Sequence, residues 1–120
     1  MSLTQPLSAN TTCDIYRDGQ GPPAPPAQAG VACRLEPHPE YSTQTAPLFT
    51  HVLLVAPTVD IRDDYPNFPD GRTGDKVYVP DRHGTLFRVV LVRRQLRGTD
   101  QDHKRVLLRR QAVNWPSDNV

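Results

Sequence analysis

The chain is poor in aromatic residues, at 7% of 120, has only two cysteines, and contains no long apolar run. Without a stretch of about 20 apolar residues no helical membrane span is expected. Residues 1–10 have neither the basic flank nor the apolar centre of a secretion signal, so synthesis and residence in a cytoplasm are expected. The two cysteines, Cys13 and Cys33, leave three readings: a disulfide, half of a metal site, or two small buried side chains on neighbouring strands. A chain without an export signal favours the last, because cytoplasmic thiols stay reduced. Structural zinc asks for four N or S ligands in close sequence pairs, whereas His38, His51, His83 and His103 are scattered. No metal and no cofactor is expected. Enzyme templates are missing as well: there is no glycine-rich phosphate loop between strand and helix, no nucleophile elbow and no helical pair of histidines. Asp60, Asp63 and Asp64 group in a turn-rich run, where carboxylates mostly serve the turns, and calcium-loop spacing is absent. A noncatalytic protein is expected.

What is present is proline and β-branched sequence. Thirteen prolines, from Pro6 to Pro116, interrupt every segment that would otherwise form a helix. The fold class expected is all-β, a small antiparallel β-barrel of SH3-like or OB-like kind. At 37% hydrophobic residues the chain supports one domain with a modest core. Residues 1–10 read as a flexible arm, 11–111 as the barrel domain, and 112–120 as a tail holding Trp115. Alternation marks strands at Thr11–Arg17, Val31–Leu35, Phe49–Ala56 and His103–Gln111, with a short one at Val59–Ile61. Gly74–Val79 and Gly84–Val92, joined by a turn cluster, read as a tight hairpin running on through Leu96. Residues 18–30 form a loop around Pro22-Pro23-Ala24-Pro25-Pro26, either a stiff connection or a docking site for a proline-recognition domain. Pro37 and Pro39 are expected to end the second strand and open a long loop over 36–48, a length uncommon without a function. His51, on a strand expected to be buried, reads as an interior histidine satisfied by backbone.

Charge is divided along the chain. Residues 86–111 carry eight basic groups against Asp100 and Asp102, a balance of +6, while residues 1–85 carry ten acidic and six basic groups, a balance of −4. Arg93-Arg94 and Arg109-Arg110 are expected at the ends of paired strands as one basic rim. That rim reads either as a solvated edge that discourages aggregation or as a surface for phosphates or an acidic neighbour. Aromatic residues are not interleaved with the arginines, so a base-stacking platform is not expected.

Three segments carry a resemblance to a known family: Val31-Ala32-Cys33-Arg34-Leu35-Glu36-Pro37, Thr50-His51-Val52-Leu53-Leu54-Val55, and Gly74-Asp75-Lys76-Val77-Tyr78-Val79 followed by Gly84-Thr85-Leu86-Phe87-Arg88-Val89-Val90. In this order they resemble the head-closure (stopper) and head-tail adaptor proteins of tailed bacteriophages, over roughly residues 31–115. The Pro-rich segment 21–26 and the run 67–73 depart from that pattern. The resemblance implies a noncatalytic connector at the neck of a virion, assembled in a bacterial cytoplasm. It also implies a homo-oligomeric ring, dodecameric or hexameric, between a portal or adaptor protein and a tail terminator or tail-tube protein, with packaged double-stranded DNA in its channel. By the same resemblance the 36–48 segment gates that channel, which points to Glu36, His38, Glu40, Tyr41, Gln44 and Leu48. Tyr65, Phe68, Arg93, Arg94, Arg109, Arg110 and Trp115 are candidates for subunit or partner contacts. The alternative is a small SH3/OB-like module that binds nucleic acid through its C-terminal arginine-rich strands.

Overall fold

The computed structural model describes residues 9–41, 47–67 and 73–111. Six antiparallel strands, β1 (Thr11–Tyr16), β2 (Gln28–Tyr41), β3 (Pro47–Val55), β4 (Lys76–Val79), β5 (Thr85–Gln95) and β6 (His103–Arg110), close into a barrel in the order β1-β2-β3-β6-β5-β4. The all-β class and the small barrel hold. A 3-10 turn at Tyr65–Asn67 interrupts the connection from β3 to β4.

Alternation decides what each strand contributes to the interior. Cys13, Ile15, Cys33, Leu53, Val55, Val77, Val79, Phe87, Val89, Val106 and Leu108 form the inner cluster. Burial of each large apolar side chain is worth about 1.5–3 kcal/mol, so this cluster is the main source of stability. A second cluster, Phe49, Val52, Val90, Leu91 and Leu107, lies on the outer side of β3, β6 and β5. A bulge between Val89 and Leu91 makes this possible: it shifts the register against β6, so that Val89 and Val92 point inward while Leu91 points outward.

Two glycines answer steric demands. Gly30, at φ 63°, sits in β2 opposite the irregularity between Cys13 and Ile15, and its amide donates to Asp14 Oδ1 at 2.9 Å. Gly84 closes the β4–β5 turn so tightly that an added Cβ would lie 2.0 Å from the Val79 carbonyl oxygen. A side chain there would collide with backbone, which cannot give way.

Several boundaries differ from the sequence reading. β2 begins at Gln28, inside the expected 18–30 loop, and continues through Pro37 and Pro39 to Tyr41. β3 begins at Pro47, so the expected 36–48 loop is mostly a paired hairpin, with Glu36↔Val52, Pro37↔His51, Glu40↔Phe49 and Tyr41↔Pro47 in register. The prolines are tolerated because β1 pairs β2 only as far as Cys33, and among the described residues no strand continues that pairing alongside Pro37 and Pro39. Val59–Ile61 is not a strand; both apolar residues are buried in the inner cluster instead. Asn10, assigned to the free arm, is pinned along β2: its amide donates to the Cys33 carbonyl, and its side chain exchanges bonds of 3.2 and 3.0 Å with Leu35 backbone.

The barrel therefore has two unlike ends. At one, the segment 56–63 crosses the opening. Lys104 Nζ donates to the Val59 carbonyl (2.5 Å), Arg17 and Gln28 side chains donate to the Asp60 carbonyl, and Val92 N donates to Asp63 Oδ2 (2.7 Å). Val59 and Ile61 fill the interior below it. At the other end the β2–β3 hairpin continues past the last pairing with β1 and β6 as a two-stranded spur.

Candidate functional site

The site candidates sort by barrel end. At the spur end, Leu35, His51, Val79, Thr85, Phe87 and Arg110 line a cavity of about 240 Å³. His51 occupies an inward position near the root of the spur, with its ring edge-on to Phe87 (centroids 4.8 Å apart) and Nδ1 2.9 Å from Thr50 Oγ1. The expected interior histidine is thus half-buried at a mouth and served by a hydroxyl rather than by backbone. Burial first, and the Arg110 charge second, hold its imidazole below the ordinary histidine value.

Of the residues expected in the channel segment, Glu36, His38, Glu40 and Tyr41 belong to β2 and Leu48 to β3, while Gln44 lies outside the described residues. They are brought together as a hairpin, not as a loop. Of the expected contact residues, Tyr65 is 65% exposed, and Phe68 and Trp115 lie outside the described residues.

The four arginines do not form one rim. The hairpin register pairs Arg93 with Arg105 and Arg94 with Lys104 near the β5–β6 turn, but Arg88 with Arg109 and Phe87 with Arg110 at the far end. Antiparallel pairing puts the start of one strand beside the end of the other, so positions 93–94 and 109–110 fall at opposite ends. Arg94 is held by Asp102 through two bonds of 2.5 and 2.6 Å. That pairing, reinforced by the Gly98 amide, holds the Asp102 carboxyl far below the usual range.

Carboxylates elsewhere are similarly occupied. Asp14 accepts from the amides of Gly30 and Arg82, Asp18 from Arg88, Asp60 from Arg17 and Arg62, and Asp81 from the His83 amide. Asp64 accepts from the Thr73 hydroxyl, and Asp63 serves the amides of Tyr65 and Val92. Asp75, 3% exposed, accepts from Arg17 and from the Arg62 amide; burial outweighs both and pushes its carboxyl up. Among the described residues no group of three His, Cys, Asp or Glu is placed to hold a metal ion. These carboxylates brace turns and strand ends, a role that only the turn chemistry around Asp60, Asp63 and Asp64 hinted at.

Cys13 and Cys33 are free thiols, both buried in the inner cluster on adjacent strands, as expected. Their mutual hydrogen bond, and then burial, push the Cys13 thiol far up. The same bond lowers the Cys33 thiol against its burial, and both side chains are closed off from solvent. Among the described residues no helix is long and apolar enough to cross a membrane.

Comparison with models of known protein families, with curated proteins and with solved structures finds no match.

Proposed function

We propose that this chain is a noncatalytic structural connector of head-closure type. In this reading copies assemble as a hexameric or dodecameric ring between a portal or adaptor protein and a tail terminator or tail-tube protein, at the neck of a phage or phage-like particle assembled in a bacterial cytoplasm. The observation that carries the reading is the spur: a two-stranded extension of β2 and β3 beyond a closed barrel, in the part of the sequence where the resemblance puts a channel-directed element. Among the described residues unpaired strand edges are left only where strands outrun their neighbours, on the spur and at the end of β5. Association between copies therefore falls to side-chain surfaces and projections, and a ring of identical copies needs two different ones. The spur and the wall of a neighbouring barrel supply such a pair.

Sedimentation and electron microscopy of the purified chain, alone and with its portal, test this. A closed ring is the expected outcome. A protein that stays monomeric at all concentrations and is never retained on portal complexes would sink the reading.

A further inference from the structure

We infer that the outer wall of the β5–β6 hairpin, near its turn, is a binding surface for the phosphate backbone of double-stranded nucleic acid. The register places Arg93 directly opposite Arg105, with Gln95 opposite His103 one step nearer the turn. These positions face outward, because Val92 and Val106 pack on the inner cluster. Across the sheet the same row continues from Arg105 to Leu54 and from Leu54 to Arg34, giving Arg34, Leu54, Arg105 and Arg93 on four adjacent strands. With strands about 4.8 Å apart the row spans about 14 Å. Arg97 is exposed in the adjoining turn.

Three observations point to a ligand. First, like charges directly opposite each other on a sheet are destabilising, and among the described residues no carboxylate forms a salt bridge with Arg93 or Arg105. Arg34 has Glu36 at 2.7 Å, and Asp102 is already bound to Arg94 and to the Gly98 amide. Asp100, exposed in the turn, is the nearby acid without such a task. Second, protection of a sheet edge, the ordinary reason for charged strand residues, does not account for Arg105, which lies between β3 and β5; Arg93 stands beyond Arg88, where the pairing of β5 with β4 ends. Third, a second copy is poorly suited as the partner, since its described carboxylates are mostly engaged in internal bonds.

The chemistry of the row selects the ligand. Guanidinium groups bind phosphate oxygens through two parallel bonds. Among the described residues Tyr65 is the exposed aromatic side chain, and a single ring offers the bases of a single strand no run to stack on. The backbone of a duplex presents phosphates without that requirement. The surface lies at the end of the barrel away from the spur, and the inference does not depend on ring formation.

The test is fluorescence anisotropy of a labelled duplex of arbitrary sequence with the full chain at increasing salt. Three arginine–phosphate contacts predict that log K falls against log salt with a slope of about −3. The double variant Arg93→Ala/Arg105→Ala should lose about tenfold or more in affinity and reduce that slope by about 2. Its thermal midpoint should not fall, since a repulsive pair is removed; Arg93→Lys/Arg105→Lys should keep the slope. Arg62→Ala, exposed and paired with Asp60, should bind as the parent does. Three results would overturn the inference: no binding at low salt, a double variant that binds like the parent, or an equal loss in Arg62→Ala. Displacement of the duplex by polyglutamate at lower concentration would also overturn it, in favour of an acidic protein.

Discussion

His51 concentrates the conflict between packing and charge in this molecule. Its ring is used as an apolar wall against Phe87, and Arg110 adds a positive charge to the same cavity. Both oppose protonation, so the folded-state pKa lies below the unfolded value of about 6.5. The sign follows: the unfolded chain takes up the proton first, and the stability due to this group is full above about pH 6.5 and lost as pH falls through the folded value. We expect the thermal midpoint to drop between about pH 7 and about pH 5, and the drop to shrink in His51→Gln. An imidazole that titrates above 6.5 in the NMR spectrum of the folded protein would contradict the described packing. The histidine was visible in sequence as an interior group and its hydroxyl partner is the adjoining Thr50, but the mouth it lines depends on which residues β4, β5 and β6 bring opposite it.

The spur shows how an element can be misread by reliable local rules. Pro37 and Pro39 forbid ladder donation, and in an interior strand they would end it; here they fall where, among the described residues, β2 has only β3 beside it. The core strands were legible because alternation survives in them: Val106 and Leu108 inward, Arg105 and Leu107 outward. The basic rim was not, because one register shift at Val89/Leu91 and the antiparallel sense decide which arginines meet. Since the ring of pairings around the barrel uses β3 from His51 to Val55, the spur should be separable. Replacing residues 38–48 with a short Gly-containing turn should leave a cooperative circular-dichroism melt, with a change within about 1 kcal/mol, and abolish the proposed assembly, with sedimentation as the readout. Loss of the melt itself would show that the spur supports the barrel rather than a neighbour.

At the scale of the whole molecule, closure is the decisive event. β1 pairs with both β2 and β4, and Asp14↔Tyr78, Ile15↔Val77 and Tyr16↔Lys76 join segments some sixty residues apart in the chain. No local pattern announces such a pairing, which is why the barrel's closure could be expected only as a class. A chain lacking residues 1–16 should lose cooperative unfolding and aggregate, because β2 and β4 would become open edges; a soluble variant with a sharp melt would refute that role for β1. The crossing segment 56–63 adds a geometric consequence. With Val59 and Ile61 seated in the interior and Lys104 bonded across the opening, the barrel is stoppered at one end by its own backbone. No polymer can be threaded through a single copy, so the bore of any assembly built from this chain has to be the gap left between copies, and its width is set by how many of them stand around it.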